Sequence, residues 1–340
     1  MEFEREELLA ELGAVAPALG SGVQTEQGYV WFDTEYIYAY SGLGVRKEFK
    51  TALNCGVPGK QLQKLLETSS LKEVTLAEEK GHVLLQMGRS KIKLANQDID
   101  RLPWRFKDPT GKGLTLTKEI YAAFKRLSTV RASKGQHAYH HGVILHPSKT
   151  ELDSFATDGR TIMRIRLNGG KVDRVILPWA FLERVRVLTK PDKASLHVMG
   201  DSLLVVGDGV LIASNMLDLP DQPDLGKLLD KYADAAGDPL RIPEGLGTAL
   251  DRADALSGGG RPVTIAITKG ALRLTAKYEA GALDESLSLS GKKLPEVRAD
   301  LRPDLIRRNL EGANEFALYE QGMILYGEKD SFDYLIAGVK

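Results

Sequence analysis

The sequence predicts an α+β fold made of three similar units in tandem, each with helices on one face of antiparallel sheets. Three observations point there. Short strand-like runs alternate with amphipathic helical patterns. A helix opened by proline recurs at Pro58, Pro178 and Pro303, at intervals of 120 and 125 residues. The same order of elements returns around each proline: helix, strands, proline-started helix, three strands. Proline suits a first helical turn because its missing N–H would be unpaired there, and an order repeated three times over a fixed period signals internal duplication.

In the first unit, Leu8, Leu12 and Val15 recur at helical spacing over residues 5–16, and Glu6 and Glu7 suit the positive N-terminal end of that helix. Strand-like runs follow at 29–32, 35–40 and 46–53. The Val57-Pro58 helix carries Leu62, Leu65 and Leu66, and strands at 73–77, 82–87 and 91–94 close the unit. The second unit opens with a helix over 118–127, for which Thr117 is a suitable N-cap. Its strands fall at 142–145, 151–157 and 161–167. Asp158-Gly159 between two alternating runs is a hairpin signal. The Pro178 helix and strands at 195–199, 202–206 and 210–214 complete it. The third unit has a helix bearing Leu246, Leu250 and Ala253, strands at 263–268, 271–278 and 283–289, the Pro303 helix, and strands at 315–319, 323–327 and 332–336. Boundaries fall near 103–113 and 230–239, giving units at 1–108, 109–236 and 237–340.

Composition narrows the class. The chain of 340 residues has 43% apolar and 27% charged residues, the balance of a globular protein with real cores. No run resembles a membrane helix, the acidic start is unlike a secretory signal, and Cys55 is the sole cysteine. A cytoplasmic location is the expectation. Basic and acidic residues number 46 each, so composition alone gives no nucleic-acid footprint. Three end-to-end units leave a strand edge free at each end, and a closed homo-oligomer satisfies both. Two chains paired head to tail would close a ring of six units.

Taken together, Ala156-Thr-Asp-Gly159, the Leu177-Pro178 helix start, the acidic-proline segment Asn215–Asp221 and Gly88-Arg-Ser-Lys-Ile-Lys-Leu94 resemble the bacterial-type sliding clamp, the beta subunit of the replicative DNA polymerase, over nearly the whole chain. Bacterial and bacteriophage origin both remain open, with the host cytoplasm as the location in either case. The resemblance implies a non-enzymatic processivity factor without cofactor: a homodimeric ring encircling duplex DNA and tethering the polymerase, clamp loader and repair proteins through short linear peptides.

By that resemblance the helices lining the hole carry Lys60 and Lys64, Lys125 and Arg126, Arg184 and Arg186, Arg307 and Arg308. A sliding ring needs phosphate contacts without base readout. Only Lys60 and Lys64, four apart, share one helix face; of each other pair, one member is expected to reach the hole. The loop 131–139 corresponds to one reaching toward DNA, with Arg131, Lys134, Gln136 and Tyr139 as contacts. Carried over by position, the peptide pocket involves His140, Thr157, Gly159, Arg160, Thr161, Ile162, Pro220, Leu225, Leu335 and Ile336. The dimer contact sets Ile92 and Leu94 against Ala255 and Leu256 of the second chain. Three departures bear on peptide preference: the tail ends Ala337-Gly-Val-Lys340 in place of a Met-Pro-Met type segment, His140 replaces an apolar wall, and Asp224 a basic neighbour.

Each site also has a plain structural reading: charged helix positions as solvated faces, the loop as a polar hairpin, and the pocket and interface residues as core. His140 and His141, adjacent in an expected strand, would face opposite ways and not share an ion. No metal-ligand spacing, phosphate loop or nucleophile–base set emerges. The rival readings are a metal-dependent nuclease or hydrolase using His137, His140 or Asp158 on a clamp-like scaffold, and a clamp-fold hub that binds proteins without encircling DNA.

Overall fold

The computed structural model describes residues 1–20, 26–103, 107–132, 137–147, 151–168, 172–217, 223–290, 294–328 and 331–339. The first third runs β1 (Glu2–Glu4), α1 (Arg5–Val15), β2 (Tyr29–Phe32), β3 (Tyr36–Tyr40), β4 (Leu43–Glu48), β5 (Cys55–Pro58), α2 (Gly59–Glu67), β6 (Glu73–Glu79), β7 (His82–Met87), β8 (Ser90–Ala95) and β9 (Gln97–Asp98). The middle third has β10 (Leu114–Thr115), α3 (Lys118–Leu127), β11 (Gly142–Pro147), β12 (Glu151–Thr157), β13 (Thr161–Asn168), β14 (Val175–Pro178), α4 (Trp179–Leu188), β15 (Ala194–Met199), β16 (Ser202–Gly207), β17 (Val210–Asn215) and α5 (Leu225–Ala236). The last has β18 (Leu240–Arg241), α6 (Leu246–Ser257), β19 (Val263–Thr268), β20 (Ala271–Tyr278), β21 (Gly281–Ser288), β22 (Val297–Leu301), α7 (Pro303–Leu310), β23 (Ala313–Tyr319), β24 (Gly322–Gly327) and β25 (Phe332–Ala337).

The order helix, three strands, strand running into a helix, three strands thus occurs three times. Helices sit where apolar period and end signals agree. Leu8, Leu12 and Val15 of α1 are buried, and the Thr117 hydroxyl accepts from Ile120 N at 3.4 Å to cap α3. Four local expectations need correction. β4 begins at Leu43 and ends at Glu48, short of the 46–53 run. β5, β14 and β22 are strands placed before the three proline-associated helices, where only helix starts were expected. Cys55–Pro58 is buried throughout and Val175–Leu177 likewise, so neither shows the alternation that marks a half-buried strand. Residues 225–236, partly read as a boundary, form α5, capped by Asp224, whose Oδ1 accepts from Lys227 N at 3.0 Å. His140 and His141 lie in a 3₁₀ turn, Ala138–His141, and not in a strand.

The chain folds as two compact bodies, Met1–Tyr121 with Pro178–Met216, and Ala122–Leu177 with Leu217–Lys340. The first contains a four-stranded sheet, β1-β6-β7-β8, and a nine-stranded sheet, β10-β15-β16-β17-β4-β3-β2-β5-β9. The second contains an eight-stranded sheet, β14-β11-β12-β13-β25-β24-β23-β18, and a four-stranded one, β21-β20-β19-β22. Every pairing described is antiparallel. Two long-range pairings explain why the bodies do not follow the spans 1–108, 109–236 and 237–340. β17 joins β4 (Ile212↔Val45), and β13 joins β25 (Ile162↔Leu335), so strands of the middle span complete sheets begun by its neighbours.

Candidate functional site

The second body holds a cavity of about 730 Å³, whose geometry starts at the β12–β13 turn. Asp158 organises that turn. Its Oδ1 accepts from Arg160 N at 3.0 Å, Thr161 N at 2.8 Å and the Thr161 hydroxyl at 2.8 Å. The Thr157 hydroxyl accepts from Gly159 N at 3.1 Å and donates to Thr161 O at 2.7 Å. Gly159 has φ +84°, a left-handed conformation that glycine adopts without the Cβ penalty. The turn is therefore saturated by its own groups and presents Thr157, Gly159 and Arg160 to the cavity.

Strand alternation selects the rest. Ile162 and Leu335 lie opposite each other on β13 and β25 and both line the cavity. Thr161 and Ile336, the neighbouring pair, are buried and face the other way. A further wall comes from α5, whose Leu225, Leu228 and Tyr232 follow helical spacing. Behind these, Ile144, Phe155, Ile176, Leu229 and Ile324 form a packed floor. The remaining boundary is mixed, with Glu296, Arg298, Asp300, Glu320 and Gln321 as its polar members beside the main chain of β22 and the tail residues Gly338 and Val339. An apolar floor with a few polar groups at its rim suits a ligand anchored by apolar side chains.

His140 is buried beside the turn, its ring edge-on to Tyr139 at 4.6 Å. Burial, followed by His137 and His141, holds its pKa below the usual histidine range against the opposing pull of Asp158. The neutral form of the His140 ring is therefore favoured at this wall. Burial also pushes the Tyr319 phenol up, so it stays protonated.

Of the ten residues assigned to a pocket, His140, Thr157, Gly159, Arg160, Ile162, Leu225 and Leu335 line this one space; Thr161 and Ile336 do not, and Pro220 lies outside the described residues. Tyr139, assigned to the DNA loop, lines the cavity and stacks on His137 at 5.0 Å. Pro223, Leu228, Tyr232, Tyr319 and β22 were missed. For Leu228 and Tyr232 the signal was available as the apolar period of residues 225–236; for β22 nothing local pointed to a cavity.

The basic residues divide into two groups. Lys60 and Lys64 are exposed on one face of α2, opposite buried Leu62 and Leu66. Lys125 and Arg186 are exposed and Arg184 half-buried. Three others are engaged within the chain. Arg126 donates to Glu311 O at 2.8 Å and lies 3.6 Å over the Phe332 ring. Arg307 Nε donates to Asp251 Oδ1 at 2.9 Å. Arg308 donates to Thr129 O at 3.2 Å and sits 3.6 Å from Asp158. Arg131 is exposed, and Lys134 and Gln136 lie outside the described residues.

Among the residues assigned to a subunit contact, Leu94 is buried within its own chain. Ile92, Ala255 and Leu256 keep exposed area. Among the described residues no group of three or more His, Cys, Asp or Glu could hold a metal ion, and Asp158, a candidate acid or base, is committed to its turn. No described helix is long and apolar enough to cross a membrane.

The sequence matches no family model and no curated protein. Solved structures do match, along the whole chain. A putative DNA polymerase III beta subunit from Eubacterium rectale superposes with a TM-score of 0.82 at 15% identity, over 99% of this chain and 98% of its own. The DNA polymerase III subunit beta from Pseudomonas aeruginosa gives 0.82 at 17% identity, over 100% and 99%. The Helicobacter pylori beta clamp bound to a DNA ligase peptide gives 0.82 at 13% identity, over 100% and 99%. The chain thus has an α+β architecture matching that of the clamps. Its particular fold is that of the bacterial DNA polymerase III beta subunit, whose three repeated units fit a chain of 340 residues.

Proposed function

We propose that this protein is a DNA sliding clamp: two chains close head to tail into a ring around duplex DNA and hold a polymerase and other replication or repair proteins by peptides seated in the cavity. The observation that carries this reading is the full-length match to beta clamps together with a pre-formed, apolar-floored cavity. The Helicobacter pylori neighbour holds a DNA ligase peptide, which supports a peptide as ligand here. The outer edges of β8 and β21 end their sheets, which supports edge-to-edge closure between chains, with Ile92 near one edge and Ala255 and Leu256 beside the other. Lys60, Lys64, Lys125, Arg184 and Arg186 supply phosphate contacts without base readout.

On this reading the mechanism is topological, not catalytic. A closed ring keeps its tethered enzyme at high effective concentration near the template, so dissociation is followed by local rebinding. The repeats at 1–108, 109–236 and 237–340 each contribute one third of a half-ring, and the protein works in the cytoplasm of a bacterium or a phage-infected host. The test is retention after loading by an ATP-driven loader onto nicked circular DNA, then linearisation. A ring stays on circles, runs off open ends and is retained again when the ends are blocked. Equal loss from circles and linear DNA overturns encirclement and leaves the protein-binding hub.

A further inference from the structure

We propose that the partner peptide binds as an added strand on the outer edge of β22, with Arg298 as its main-chain partner. This rests on the peptide reading of the cavity and adds how the peptide is held. β22 ends its sheet, paired on one side with β19 through Ala266↔Arg298, Ile265↔Ala299 and Thr264↔Asp300. In an antiparallel pair the N–H and C=O of one residue point to the same side, and that side alternates along the strand. Asp300 O accepts from Val339 N at 2.8 Å, a residue of the tail and not of β19. Asp300 therefore faces outward, and by alternation so do the N–H and C=O of Arg298.

The cavity is bounded by Glu296, Val297, Arg298, Ala299 and Asp300 in succession. Side chains of a strand alternate between faces, so five consecutive residues can bound one space only where the strand edge forms the wall. The side chains beside that edge are tied down within the sheet. The Thr264 hydroxyl donates to Asp300 Oδ1 at 2.6 Å, and Arg298 Nη2 donates to Thr264 Oγ1 at 3.3 Å. Ala299 and Leu301 are buried on the opposite face, which holds the strand in place.

The first body shows what such an edge accepts. β5, the strand that leads into α2 as β22 leads into α7, carries the short extended segment β9 on its outer edge, through Cys55↔Asp98 and Gly56↔Gln97. On β22, which also packs beside β23 and β24, the main-chain hydrogen bond given for the corresponding edge among the described residues is that from the Val339 amide to Asp300 O. An extended peptide completes it: its main chain bonds Arg298, and alternate apolar side chains reach Ile162, Leu228, Tyr232 and Leu335. Main-chain pairing supplies affinity while pockets for every second side chain supply selectivity.

The probe is the tightest nonapeptide selected on the full-length protein from a displayed random library and displaced by the variant Ile162→Arg. Each of its amides is N-methylated in turn. Strand addition predicts losses of about tenfold at alternate positions around the residue facing Arg298, with little effect between them. Two variants complete the test. Arg298→Ala keeps the outward N–H and binds as the parent does. Arg298→Pro removes it at an edge position where proline is tolerated, and it weakens binding by about tenfold. A methylation profile without period two, or undiminished binding by Arg298→Pro, overturns strand addition while the peptide reading stands. Failure of any selected peptide to respond to Ile162→Arg overturns both.

Discussion

Replacing Asp333 by Asn tests how the two central strands of the cavity are held. Asp333 lies opposite Arg164 across the β13–β25 pairing and is 2% exposed. Its Oδ2 accepts from Arg164 Nε at 2.7 Å and from Arg166 Nη2 at 2.9 Å, with Arg164 Nη2 at 2.6 Å. Arg164 is 8% exposed, so losing the carboxylate leaves a guanidinium that water cannot reach. Breaking such a pair from one side costs about 3–5 kcal/mol. Asp230 still meets Arg164 Nη1 at 2.8 Å, but its side chain is 60% exposed and offsets only part of the charge. The expected loss is therefore about 3 kcal/mol, the lower end of that range.

Hydrogen exchange followed by mass spectrometry reads this where it acts. Protection of 161–168 and 332–337 should fall about 150-fold, the equivalent of about 3 kcal/mol. The double variant Arg164→Met with Asp333→Leu should recover most of the protection, because an apolar pair of similar volume replaces the charges. A fall below about fivefold in Asp333→Asn, roughly 1 kcal/mol, would refute the claim that this ion pair locks the strands. So would a double variant as unstable as the single one.

Three further outcomes follow from particular groups. Because the His140 pKa lies below its unfolded value, the unfolded chain binds the extra proton, and stability falls as pH drops from about 6.5 through the folded value; His140→Asn should flatten that slope in thermal unfolding between pH 7 and pH 5. Lys60→Ala with Lys64→Ala should lower the salt dependence of DNA binding by about two charges' worth, a slope change of about 1.8 in log K against log salt, whereas Arg126→Ala should destabilise the fold; an unchanged slope in the lysine variant removes α2 from the DNA path. Burial pushes the Cys55 thiol up to about 12, so alkylation of native protein at pH 8 should track unfolding, and rapid labelling of the folded chain would contradict its placement.

Much of the local structure was legible from residues alone, because its causes are local. The helices α1, α3, α6 and α7 follow from apolar residues at 3.6 spacing combined with start signals: Glu6 and Glu7 in the first turn of α1, Thr117 before α3, Pro243 shortly before α6 and Pro303 opening α7. The 157–161 turn follows from Asp-Gly. The strands β5, β14 and β22 escaped notice: β5 and the apolar part of β14 are buried without alternation, and no pattern in 297–301 tied β22 to a cavity. α5 escaped because residues 230–239 read as a boundary, which cut across the apolar period of 225–236. In the cavity, resemblance placed seven residues that the coordinates bring together, but it could not separate Ile162 from Thr161 or Leu335 from Ile336. That choice depends on which face of a paired strand looks inward.

The sequence by itself determined the kinds and order of the elements, the threefold recurrence and the apolar stock available for cores. The tertiary structure alone decided which strands meet, that Arg126 lies over the Phe332 ring, and that the edge of β22 walls the cavity. The physical reason is range. Periodicity, caps and turn residues act over a few positions, whereas β13 with β25 and Arg126 with Phe332 are contacts whose energy exists only after distant segments have been brought together.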